Sequence, residues 1–196
     1  MSDILKVYKT EIAWSFLEHD SAGICKGSTK ANLILLDDYS VMGIVKIKNN
    51  NTDFLLGTCI PDVGFLFTSL SLENKNSAPI TYTASKQLDG SPDTYYGLIQ
   101  INYPQGNKSA GLCVIRAIPM YMSSYDLDNY IDEIASVQDM LENDQSGFVA
   151  LYYNKLMSET TAINSINTIG KHSSVVRTQP VNDNFKRIET MLSKKI

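Results

Sequence analysis

Between Asn32 and Ile60 the chain carries three strand signals in quick succession, and no other feature limits its fold as strongly. Asn32–Leu36 is an apolar run ended by Asp37 and Asp38. Val41–Lys48 alternates, with Lys46 and Lys48 on the face opposite Val45 and Ile47. Asp53–Ile60 is the third signal, and Asn49, Asn50, Asn51 and Thr52 before it read as a hairpin turn. Strands joined by so few residues pair antiparallel, because a parallel return needs a crossover of roughly a dozen residues or more. The expectation is an antiparallel meander.

On either side the pattern reads as mixed. Ile4, Tyr8, Ile12 and Phe16 recur at i, i+4, widened by Leu5 and Leu17, which predicts a helix over 3–19 capped by Ser2 or Asp3. Residues 20–30, with Gly23, Gly27 and Ser28, read as a loop. Pro61 at a helical first turn favours a short helix over Val63–Leu70, although Phe65, Phe67 and Ser69 also fit the alternation of a strand. Residues 71–93 read as a long loop with a short strand at Ile80–Thr83. Tyr95–Tyr103 and Gly111–Ile118 are clear strands, joined by a turn at 104–107. The strongest helix is 124–142. Ser123 and Asp126 form its capping box, and Leu127, Ile131, Ile134, Val137 and Leu141 mark one face. Phe148, Leu151, Tyr152 and Leu156 share a further helical face that Ile163, Ile166 and Ile169 extend toward Gly170. A polar linker over 171–182 leads to a last helix at 183–194, with Phe185, Ile188 and Leu192.

These elements predict an α+β fold: an antiparallel sheet of about five strands packed by helices, with extra C-terminal helices. Residues 1–145 would form the core domain and 146–196 a helical extension packed on it. A chain of 196 residues with 43% hydrophobic content has enough apolar material for such a core.

Charge and chemistry narrow the function. The net charge is −4, yet Lys171, Arg177, Lys186, Arg187, Lys194 and Lys195 face only Asp183 and Glu189 in the tail, so the body is the acidic part. An acidic body disfavours nucleic acid, whose phosphates need a basic surface; the basic tail reads as a solvated helix face. Cys25, Cys59 and Cys113 are widely spaced and odd in number, which suits buried thiols in a reducing cytoplasm. No secretion signal is expected from the opening Met1, Ser2 and Asp3, and no apolar run reaches the roughly 18 residues of a membrane span.

No phosphate loop, dinucleotide fingerprint, zinc-protease motif or nucleophile elbow is present. His19 and His172 are isolated and read as surface residues, so neither a histidine-based triad nor a metal cluster is expected. Asp126, Asp128, Asp132 and Glu133 superficially suggest a calcium loop, but the required glycine and glutamate positions hold Ile131 and Val137; a solvated helix face explains them better. Nothing local activates Cys59 or Cys113. A site built from Asp37, Asp38, tyrosines and Arg116 lacks assignable roles. No catalytic residue, metal or cofactor is therefore expected.

Tyrosine is the one excess, 11 residues, with Tyr82, Tyr95, Tyr96, Tyr103, Tyr121, Tyr125 and Tyr130 close together. Tyrosine serves half-buried strands and interfaces alike. The predicted order over residues 3–142 (helix, three strands, helix, two strands, helix) resembles the type III secretion chaperone-like fold of bacterial adaptors. The resemblance implies dimerisation or effector binding through the first helix and the sheet face, hence through Trp14, Phe16, Phe54 and Leu56. With Tyr95, Tyr96 and Tyr103 added, these are the candidate partner-binding residues. The expected function is a cytoplasmic, non-enzymatic protein-binding adaptor or secretion chaperone. Its partner would be another polypeptide, an effector or complex subunit, with homodimerisation an option and neither nucleic acid nor membrane insertion involved. The alternative is a small acidic inhibitor or immunity protein that covers a basic target site.

Overall fold

The computed structural model describes residues 4–17, 23–46, 52–87, 91–106, 108–144 and 146–158. Its strands are β1 (Ile4–Leu17), β2 (Ile24–Leu36), β3 (Ser40–Lys46), β4 (Thr52–Ile60), β5 (Gly64–Ser71), β6 (Ile80–Lys86), β7 (Thr94–Asn102) and β8 (Lys108–Met120). Each pairs antiparallel with the next, and β8 returns to β1 to close the barrel. Helix α1 (Ser124–Asn143) follows, then a second helix, α2, over 148–158. The chain divides into two compact units, 1–153 and 154–196; the barrel and α1 lie in the first, and of the second only 154–158 are described, as helix.

This replaces the expected α+β sheet of about five strands with an up-and-down β-barrel. The meander is present, but it runs through all eight strands. The helix expected over 3–19 is β1. Ile4, Tyr8, Ile12 and Phe16 stand four apart, a spacing that one helix face and one strand face share. Intervening residues settle it: Tyr8, Thr10 and Ile12 are buried while Lys9, Glu11 and Ala13 are exposed, a period of two. The expected loop at 20–30 is largely β2. The expected helix at 63–70 is β5, with Phe65 and Phe67 buried on its inner face. Pro61 serves a β-turn instead: Asp62 follows at φ 63° and Val63 N–H donates to the Ile60 carbonyl at 3.0 Å. The short strand expected at Ile80–Thr83 within the loop 71–93 is present as β6 and runs on to Lys86. The element order that resembled the secretion chaperones is thus not the one the chain adopts.

Eight strands enclose an interior just wide enough for side chains to fill. Ile12, Leu33, Leu35, Val41, Val45, Leu55, Ile99 and Ile115 fill it together with an aromatic cluster. Phe65 meets Tyr95 edge to face at 4.8 Å, and Phe67 stacks on Tyr82 at 5.0 Å. Small residues let neighbouring strands approach closely: a Cβ at Gly97 would press on the Thr83 carbonyl oxygen.

A second apolar layer lies outside the barrel. Ile34, Ile44, Phe54, Leu56 and Leu70 project outward from β2 to β5 and are buried. Ile134 and Leu141 of α1, with Val149, Ala150 and Tyr153 of α2, are the buried helical residues, and Phe54 lies 6.3 Å from the Tyr153 ring. The helix expected at 124–142 is present with its capping box: the Asp126 N–H donates to Ser123 Oγ at 3.2 Å. The C-terminal helical signal beginning at Phe148 is present through residue 158. The turn residues Asn49, Asn50 and Asn51, the stretch with Ile163, Ile166 and Ile169, the helix at 183–194, His19 and His172 lie outside the described residues. Among the described residues no helix is long and apolar enough to cross a membrane.

Candidate functional site

The barrel seam is uneven between β2 and β3. β1 pairs with β2 along its whole length, to Leu17 opposite Ile24. β3 pairs with β2 only from Leu35 opposite Val41 to Asn32 opposite Ile44. β2 therefore runs on through Ile24–Ala31 with no strand on its other side among the described residues.

Two hydrogen bonds give the direction of the backbone there. The Ala31 carbonyl accepts from Thr10 Oγ1 on β1 at 2.8 Å, so it faces β1. The Asn32 carbonyl accepts from the Tyr130 hydroxyl at 2.6 Å, on the opposite edge. Successive residues in an antiparallel strand turn their polar groups to alternate edges. Lys26, Ser28 and Lys30 consequently direct N–H and C=O away from β1, toward the open side.

Tyr130 sits at the point where the seam opens. Its hydroxyl accepts from the Ile44 N–H at 2.8 Å while donating to Asn32, so it stands between two groups that otherwise bond each other in a β-ladder. Burial raises its pKa to about 12, which keeps the proton it donates.

The two faces of the overhang differ. Outside, Lys30 lies opposite Glu11, which lies opposite Arg116; Ser28 lies opposite Ala13, which lies opposite Val114. Lys30 Nζ pairs with Glu11 at 2.9 Å, and the hydrogen bond from Lys30 holds the Glu11 carboxyl below its ordinary pKa. Lys46, at the end of β3, pairs with Glu133 of α1 at 2.8 Å. A cleft of about 680 Å³ between Lys30, Lys46, Arg116 and Glu11 and a second of about 290 Å³ beside Tyr130 share Lys30 and Lys46. Inside, the Trp14 ring covers Gly27 so closely that a Cβ there would collide with it, and Phe16 lies opposite Cys25. Both aromatics are half-buried and pack on the barrel core.

The expected partner-binding residues are dispersed. Trp14 and Phe16 lie on the inner face at the overhang. Phe54 is fully buried and Leu56 nearly so, on the outer layer of β4. Tyr95 is inside the barrel, whereas Tyr96 is exposed beside Val114 and Tyr103 begins the β7–β8 turn. Asp38 accepts from the Ser40 amide in the β2–β3 turn, away from Arg116 on β8. Burial pushes the Cys59 thiol up to about 12 and the Cys113 thiol to about 11. A third groove, about 330 Å³, lies between Ile34 and Met42 of the barrel and Ile131 and Ile134 of α1, with Gln138 its one strongly polar side chain.

Sequence reading missed Lys26, Ser28, Lys30 and Tyr130. The signal was there: Ile24, Lys26, Ser28 and Lys30 alternate with Cys25, Gly27, Thr29 and Ala31, but glycine and serine give the run a loop-like composition. Comparison of the chain with family models, curated proteins and solved structures finds no match.

Proposed function

We propose that this protein is a non-catalytic binding module that takes an extended segment of another polypeptide as an added strand along β2. The observation that carries this reading is the overhang Ile24–Ala31, where Lys26, Ser28 and Lys30 direct backbone donors and acceptors toward a side on which no described strand pairs with them, beside a cleft. Such an edge is a template for strand addition, and natural barrels normally leave none. Two further facts support a binding role in water. The thiols of Cys59 and Cys113 are held protonated, which suits packing rather than nucleophilic attack. The barrel interior is packed with apolar and aromatic side chains instead of a polar lumen, and the outer face carries Lys9, Glu11, Lys30 and Arg116 alongside exposed Leu98, Leu112 and Val114. We place it in the cytoplasm on its widely spaced cysteines.

The test is selection of random extended peptides on the intact protein, followed by binding to Ser28→Pro. Proline removes an outward N–H at a position that does not serve the β1 ladder. The selected peptides should lose at least about tenfold in affinity, about 1.4 kcal/mol, while circular dichroism and melting stay unchanged. Peptides that bind the folded variant as tightly as the wild type would rule out the edge.

A further inference from the structure

We infer that the strand accepted by β2 is acidic, with carboxylates at alternate positions and apolar side chains between them. This rests on the strand-addition reading and adds the chemistry of the partner.

The outer face at the overhang is basic on a chain whose net charge is −4. Lys26 and Lys30 project outward from β2 itself, Lys9 and Arg116 flank them on β1 and β8, and Lys46 stands at the end of β3. Glu11 and Glu133 answer Lys30 and Lys46. Lys9, Lys26 and Arg116 form no ion pair with a described residue. Among the described residues of this face the cations therefore outnumber the anions, and a negative strand laid here would relieve their mutual repulsion.

Strand geometry turns this into a pattern. Side chains of an added strand alternate between the two faces as those of β2 do. Residues beside Lys26, Ser28 and Lys30 would point outward into the basic cleft. Those beside Gly27 and Thr29 would point inward, where Trp14 and Phe16 already form an apolar floor against the core. A segment that alternates Asp or Glu with Val, Ile or Leu fits both faces at once; a basic or uniformly polar segment fits neither.

The probe is a pair of fluorescein-labelled extended peptides with identical Val and Thr at inward positions and either Glu or Gln at outward ones, titrated by anisotropy onto the full chain. The Glu peptide should bind about tenfold tighter, the sum of a few exposed ion pairs. The advantage should shrink between about 0.1 M and about 1 M salt, as the screening length falls from about 10 Å to about 3 Å. Replacing both lysines (Lys26→Gln, Lys30→Gln) should abolish the preference for the Glu peptide over the Gln peptide. Equal binding of the two peptides to the wild type, with both lost in Ser28→Pro, would overturn the acidic preference and leave strand addition standing. Failure of both peptides to bind, or binding unaffected by Ser28→Pro, would overturn both readings. A dimer in light scattering that Ser28→Pro dissociates would make a second copy of the chain the occupant, and would overturn the acidic partner.

Discussion

The hydroxyl of Tyr130, on α1, stands 2.8 Å from the amide nitrogen of Ile44 on β3 and 2.6 Å from the carbonyl oxygen of Asn32 on β2. One side chain from the outer helix layer thus satisfies both strands at the last pair before they part. It ties the position of α1 to the place where the barrel seam opens.

Tyr130→Phe keeps the ring and removes that bridge. The Ile44 amide and the Asn32 carbonyl then lack their partner, which costs about 1–3 kcal/mol when such groups stay unsatisfied. Melting should fall by roughly 2–4 °C per kcal/mol for a chain of this size. Hydrogen exchange at the Ile44 amide should speed up. An unchanged melt with a slower Ile44 amide would mean that the two strands close on each other once the hydroxyl is gone.

Phe54 is fully buried on the outer layer and lies against Tyr153. Phe54→Ala should destabilise the fold by about 3–5 kcal/mol, the range for a large aromatic lost from a packed site. The check is equilibrium urea unfolding. A loss below about 0.5 kcal/mol, the ordinary effect of a surface change, would show that the helices do not use this ring.

Lys75, between β5 and β6, pairs with Asp144 at the end of α1 at 2.7 Å. The Lys75 hydrogen bond, followed by those from Ser146, pushes the Asp144 carboxyl down to about 2. An unfolded Asp titrates near 3.9. The folded pKa is the lower one, so the contribution is present above about pH 4 and is lost as pH falls toward about 2. Unfolding measured across that window should show a shallower acid loss for Asp144→Asn than for the wild type. Identical slopes would show that the pair makes no net contribution in solution.

Much of the sheet was legible in the residues themselves. Val41–Lys48, Asp53–Ile60, Tyr95–Tyr103 and Gly111–Ile118 are runs in which alternation or β-branched and aromatic content leaves little choice; β4, β7 and β8 lie on the last three, and β3 lies on the first as far as Lys46, with 47 and 48 outside the described residues. Ser123 and Asp126 marked the start of α1 because a cap is a local hydrogen bond, set by residues three apart. β1, the first half of β2 and β5 were misread for a different reason, whereas the strand expected at Asn32–Leu36 is the second half of β2. Ile4, Tyr8, Ile12 and Phe16 fit two periods, Pro61 fits a helix start and a turn equally, and the glycines of β2 look like a loop until neighbours are in place.

By itself, then, the sequence determined the antiparallel character of the chain and the α1 cap, because each depends on neighbours along the chain. Only the tertiary structure decided that the meander closes on itself, that Phe54 and Tyr95 are buried, and that Lys30 stands beside Glu11 and Arg116. Those facts depend on strand register around a closed ring, where β1 must meet both β2 and β8. The β2 overhang follows from the same register: among the described residues β3 pairs with only part of β2, and no local pattern records the difference.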